Sequence, residues 1–259
     1  MFIPLHDRNA LKHIRRQYVT LGLIAANVIT YALTSIMPET VFELGVYGLG
    51  FISAVAFQFA ELDPSLVLVP EQATYVTYAF LHASWLHLGS NMLFLWVFGD
   101  NVEDAMGHFR FLVFYLLCAA AGALVHGLVM PTSEAPLIGA SGAVSGVVAA
   151  YLMLHPKVRV WVLVFMRFPL PLPAFIPLLL WIGQQFFMLL FDTGSNVSWG
   201  AHVGGIVAGG FLVVIMKRRN VPLFDRSLVT PRAVEHRLVP VDPTPPKPEK
   251  KPSPVHWGR

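Results

Sequence analysis

The chain has 259 residues, 55% of them hydrophobic and only 13% charged, with a mean hydropathy of +0.61. Soluble domains carry about 25% charged residues, so this composition excludes an ordinary soluble protein and suits a bundle of membrane helices. The single cysteine, Cys118, excludes a disulfide framework or a multi-cysteine metal site, and ten of the eighteen Lys and Arg lie after residue 216. A basic tail beside a membrane meets anionic lipid, and no nucleic-acid motif accompanies this one.

In chain order, six uncharged apolar stretches are long enough to span a bilayer: 17–37, 76–99, 111–130, 138–156, 168–191 and 199–216. The first follows Lys12, Arg15 and Arg16 and is too long for a signal-peptide core, which predicts a retained helix. Residues 44–60 form a seventh, Gly-rich candidate. If they do not span, an inside amino terminus puts all eighteen Lys and Arg on one side; if they did, every basic residue after Arg16 would move outside. The positive-inside preference therefore predicts an all-α polytopic membrane protein, a six-transmembrane-helix bundle with both termini cytoplasmic. Residues 38–74 become a long interfacial outer loop between helices one and two. Residues 1–16 form a cytoplasmic amino-terminal segment and 17–216 the six-helix membrane domain. The basic, Pro-rich composition of 217–259 predicts a disordered cytoplasmic tail.

Polar groups inside the expected spans are few: His82, His87 and Asn91 on the second, His126 on the third, Ser141 on the fourth, His202 on the sixth. At about 1.5 Å per residue, Ser141 lies ~24 Å from Lys157, His202 ~22 Å from Lys217 and His87 ~20 Å from Asp100. Groups from three helices thus share one layer in the outer half of a hydrocarbon core about 30 Å thick. Ser141 sits in Gly139-Ala140-Ser141-Gly142, after a loop with Pro136. That position opens a helix, where unpaired backbone N–H groups can receive an oxyanion. His202, Gly205 and Gly209 lie on one stripe, and a small-residue face lets helices four and six approach closely enough to join Ser141 to His202. His87 and Asn91, four apart, share a face and could aim two donors at the same spot.

Each of these residues also has an ordinary structural reading, the serine as a cap, the histidine as an interhelical hydrogen bond, the glycines as packing. On the residues alone both readings stand. No carboxylate lies at that depth, so catalysis would use a dyad with His202 as general base. There is no His-Glu-x-x-His for a zinc protease, the absence of aspartate within the spans excludes an aspartyl dyad, and the lack of carboxylates there weighs against a transporter, a rival reading.

Taken together, His82-x-x-x-x-His87-x-x-x-Asn91, the Gly139–Gly142 motif and Gly200-Ala201-His202-Val203-Gly204-Gly205 resemble the rhomboid family of intramembrane serine proteases, from about Tyr75 to Met216. Asn101-Val102-Glu103 with Gly107 is similar to that family's turn between helices two and three. The resemblance implies Ser141 as nucleophile, His202 as its base, and an oxyanion hole from His87, Asn91 and the Ser141 N–H. His82, Gly139, Gly142, Ser145 and Gly205 would be supporting residues. It also implies cleavage of single-span membrane proteins near their outer face through an acyl-enzyme, with substrates entering between helices two and five. The partners are then transmembrane segments and membrane lipid, with no metal or organic cofactor. A catalytically silent relative that binds or escorts transmembrane segments is the alternative.

Two departures stand out. Ser145 occupies a position where some members stack a tyrosine on the base, so ring orientation is expected from elsewhere, for instance a hydrogen bond from Ser145. Ala73 and Thr74 replace a Trp-Arg pair of the first outer loop. Pro169, Pro171 and Pro173 open the fifth stretch, which predicts an irregular helix start or a mobile gate. Gln184 and Gln185 line a wet cavity there or bond to neighbouring helices, and His126 is expected to make a packing or interfacial hydrogen bond. Without an Arg/Ser-rich transit stretch, a bacterial plasma membrane is the expected location.

Overall fold

Position 107, the only residue between two 22-residue helices, is a glycine with φ of +87°, so the chain reverses there without a loop. The computed structural model describes residues 2–164, 167–192, 194 and 197–225. They belong to a unit covering Met1–Val229; a second unit, Thr230–Arg259, lies outside the described residues and holds most of the expected Pro-rich tail. The elements are β1 (Phe2–Asp7), α1 (Tyr18–Ser35), α2 (Glu39–Leu49), α3 (Ser53–Ala56), α4 (Glu71–Thr77), α5 (Trp85–Met106) and α6 (His108–Val129). They continue with α7 (Ser141–Leu154), β2 (Arg159–Val164), β3 (Phe168–Pro173), α8 (Phe175–Phe191) and α9 (Trp199–Met216). Helices α1, α6 and α9 are long and apolar enough to cross a membrane, and α7 and α8 are shorter apolar helices.

The fold is mostly helical rather than all-α, because an antiparallel sheet of order β1-β2-β3 joins the amino terminus to the segment before α8. Pro169, Pro171 and Pro173 therefore do not open the fifth helix; they lie in β3, and α8 begins only at Phe175. The physical reason is their period of two. A helix interior rejects such a run, whereas in a strand all three missing N–H groups face one side. Among the described residues β3 has β2 as its sole neighbour in the sheet, so that side is an edge with no strand on it there.

The expected second span also divides. α4 and a 3-10 turn, Tyr78–Phe80, end before His82, and α5 starts after Ser84, whose Oγ accepts from the His87 N–H at 3.1 Å. His82 thus lies in the connection, not on the helix. At its other end α5 runs past residue 99 to Met106, so Asn101-Val102-Glu103 forms helix rather than turn.

Those last turns bury carboxylates because other segments bring them donors. Glu103 is fully buried and accepts from Val19 N (3.0 Å), Thr20 N (2.8 Å) and Thr20 Oγ1 (2.7 Å). It caps α1, whose own N-cap residue Gln17 makes no side-chain bond. Asp104 accepts from the N–H groups of Lys12, His13 and Ile14 at 3.0, 2.6 and 2.7 Å. Asp7, at the end of β1, accepts from Tyr151 Oη at 2.7 Å and Asn101 Nδ2 at 3.2 Å. Burial pushes the Asp7 carboxyl up to about 7, against the lowering effect of the Tyr151 bond.

Residues 38–74 hold short helices rather than one loop or a seventh span: α2 ends at Leu49, Gly50 is extended, and α3 has four residues. Phe51 pairs with Leu137 through two backbone bonds, N–H to O at 3.1 Å and back at 2.8 Å, which ties this region to the segment before α7.

Small residues bring α6, α7 and α9 into backbone contact. A Cβ on Gly205 would collide with the Gly142 carbonyl, and one on Gly209 with the Gly146 carbonyl. Gly146 also receives Cys118 of α6. The stripe expected on the sixth span is therefore a helix–helix contact, close enough that no side chain fits between the two backbones.

Candidate active site

Ser141 is the first residue of α7, half-buried, and its helix has no side-chain cap. The earliest amide of this turn with a partner in the same run is Val144 N, bonded to Ala140 O at 2.9 Å. The amides of Ser141 and Gly142 thus have no acceptor in their own helix. Two residues earlier, Gly139 has φ of +121°, and a Cβ there would lie 2.6 Å from His87 Cε1 and 2.7 Å from Nε2. Glycine is required twice over, by conformation and by the imidazole that rests against it.

On α5, one turn from His87, the Asn91 Nδ2 group lies 3.2 Å from His82 Nε2 and donates to the His87 carbonyl at 3.1 Å. The His82 and His87 rings are 5.0 Å apart. His82 is buried. His82, His87, Asn91 and Gly139 are therefore brought together beside the start of α7.

The other wall is α9, which carries the half-buried His202. Gly142, next to Ser141, touches Gly205, one helical turn from His202. Among the described residues no hydrogen bond joins Ser141 Oγ to the His202 ring. Instead His202 Nδ1 lies 2.8 Å from Gln185 Oε1, and Gln185 Nε2 donates to the Trp181 carbonyl at 3.0 Å. Trp181 stacks on the imidazole at 6.4 Å and 28°, and Trp199 meets it edge-on at 5.7 Å and 88°.

A family model described as the Rhomboid domain matches residues 70–219, which include every one of these groups. The chain belongs to the rhomboid family. Relatives include Rhomboid-like protein 11, chloroplastic, of Arabidopsis thaliana, 44% identical over 80 residues, covering 31% of this chain and 28% of that protein. Rhomboid protein 1, mitochondrial, of Saccharomyces cerevisiae is 31% identical over 150 residues, 54% of this chain and 41% of that one. The Rhomboid protease GluP of Bacillus subtilis is 26% identical over 201 residues, 78% of this chain and 37% of GluP. The chain thus spans less than half the length of these three relatives.

This rhomboid is an integral, multi-pass membrane protein. Relatives named for chloroplasts and mitochondria stand beside the bacterial one, so the expected bacterial plasma membrane gains no support from them.

One expectation about the His202 ring changes in this rhomboid. Ser145 does not orient His202: its Oγ donates to the Ser141 carbonyl at 2.6 Å, one turn back along α7. Contact with the ring comes from Gln185, Trp181 and Trp199. Gln185 is buried while Gln184 is exposed, so the two glutamines are not equivalent. A glutamine in an apolar helix is a visible signal, but which ring it meets depends on how α8 packs on α9. His126 makes the expected hydrogen bond, with Ser198 Oγ at 2.6 Å, and Ser198 also caps α9 by accepting from Ala201 N at 3.3 Å. Among the described residues no group of three His, Cys, Asp or Glu could hold a metal ion.

Proposed function

We propose that this rhomboid is an intramembrane serine endopeptidase that cleaves transmembrane segments of single-span proteins near their outer face. Ser141 Oγ attacks the scissile carbonyl while His202 Nε2 takes its proton. The tetrahedral oxyanion is held by the Ser141 N–H with His87 and Asn91. It collapses as His202 returns the proton to the leaving amine, giving the acyl-enzyme and the first fragment. Water, deprotonated by the same nitrogen, then releases the second. His82 supports Asn91, and Gly139, Gly142 and Gly205 allow the close approaches the site needs.

The observation that carries this reading is the Gly142–Gly205 contact, which joins the helix that Ser141 opens to the helix that bears His202. In this reading α1, α5, α6, α7, α8 and α9 are the six spans, within a membrane domain of residues 17–216. Both termini are cytoplasmic, as the one-sided placement of Lys and Arg favours.

The test is incubation of the full chain in liposomes with a tagged single-span substrate, beside Ser141→Ala and His202→Ala. The parent should yield two defined fragments, and each variant should lose about 10³-fold or more in rate. Cleavage surviving in Ser141→Ala would sink the nucleophile assignment. A parent that binds several substrates and cuts none would favour the escort reading.

A further inference from the structure

We infer that Gln185 is the positioning residue that holds His202 in the tautomer a general base needs, a role that rests on the protease reading above. A neutral imidazole has one N–H, and an amide oxygen only accepts. Gln185 Oε1, 2.8 Å from Nδ1, therefore requires the proton on Nδ1 and leaves the lone pair on Nε2.

The orientation of the amide is itself determined. Its Nε2 donates to the Trp181 carbonyl at 3.0 Å; a flipped amide would set two oxygens against each other there and lose that bond. Trp181 is the residue four positions earlier on the same helix, so the acceptor on which this depends is backbone and cannot rotate away. Gln185 is 2% exposed, which excludes water as a ready substitute for either bond.

The ring is confined in its other directions too. Trp181 stacks on its face, and Trp199 meets it edge-on while its indole N–H donates to Asp192 Oδ2 at 2.9 Å. The third member that a dyad lacks is thus supplied as an amide. An uncharged acceptor costs far less than a carboxylate to bury in an apolar helix, yet still selects the tautomer.

The test uses the full chain labelled with 15N-histidine in detergent micelles, His202 being assigned by loss of its signals in His202→Ala. The parent should show His202 protonated at Nδ1. Gln185→Met keeps the unbranched shape but has no such acceptor, and should shift His202 toward protonation at Nε2. Its kcat on the single-span substrate should fall about 10- to 100-fold with KM changed less than about two-fold. Gln185→Glu retains an acceptor oxygen and should restore both the tautomer and most of the kcat.

An unchanged tautomer in Gln185→Met overturns the inference, as does a loss of kcat that Gln185→Glu does not repair. The tautomer is read without any cleavage. A parent that cuts nothing therefore defeats the protease reading while the Gln185–His202 assignment is still decided.

Discussion

The two ends of α7 are built on opposite rules. At its start, around Ser141, stand histidines, an asparagine and backbone amides, and the Ser141 and Gly142 amides have no acceptor in their helix. Near its far end, Tyr151 belongs to a region where every buried carboxylate is occupied. Asp7 holds Tyr151 and Asn101, Glu103 holds the first amides of α1, and Asp104 holds three consecutive amides before it. Saturated hydrogen bonds stabilise; open donors can be completed by a reacting group. The carboxylate end anchors the amino-terminal segment so that the serine end can remain incompletely paired.

The sharpest way to break this comparison is Gly205→Val. A branched side chain would have to occupy the position of the Gly142 carbonyl, forcing α9 away from α7. The expected loss is about 4 kcal/mol or more, together with all cleavage, read by thermal unfolding in detergent beside the activity assay. A stable, active variant would show that the backbone contact is dispensable.

Next is Glu103→Ala, which strips the acceptor from Val19 N, Thr20 N and Thr20 Oγ1 at once. It should cost about 3 kcal/mol, because the donors are left buried. Turnover per folded molecule should stay within about two-fold of the parent if the two ends are as separate as their chemistry suggests. A large fall in kcat at unchanged stability would show that they are coupled.

The smallest effect sharpens the comparison through pH. Asp7 is raised to about 7 from 3.8, with burial as the main cause. The docked strand therefore keeps a proton that the released strand gives up. The stabilisation is complete below the ordinary carboxyl value and is lost as pH rises through about 7. Thermal stability should fall from pH 5 to pH 8 by about 2 kcal/mol, and Asp7→Asn should flatten that slope. A parent whose midpoint rises over this range would mean that Asp7 is ionised in the folded chain.

Legibility followed the range of the interactions. The helices bearing Ser141 and His202 could be placed within a few residues, because apolar length and the motif spacing are local properties. The Gly205 and Gly209 stripe was readable too, since its periodicity lies within one helix. The sheet was not, because Pro169, Pro171 and Pro173 resemble an irregular helix start until β2 pairs with them. The extension of α5 to Met106 was missed for the same reason. Asn101, Glu103 and Asp104 look like the end of a span; Asp7 accepts from Asn101, and donors from residues 12–20 make the burial of Glu103 and Asp104 tolerable.

By itself the amino-acid sequence determined that apolar helices dominate the chain and which few polar groups lie among them. It also determined where glycine permits two backbones to touch. The tertiary structure alone decided which polar atoms meet. Gln185 reaches His202 across 17 residues and Glu103 reaches Thr20 across 83, and such pairings depend on how helices pack rather than on any pattern within one.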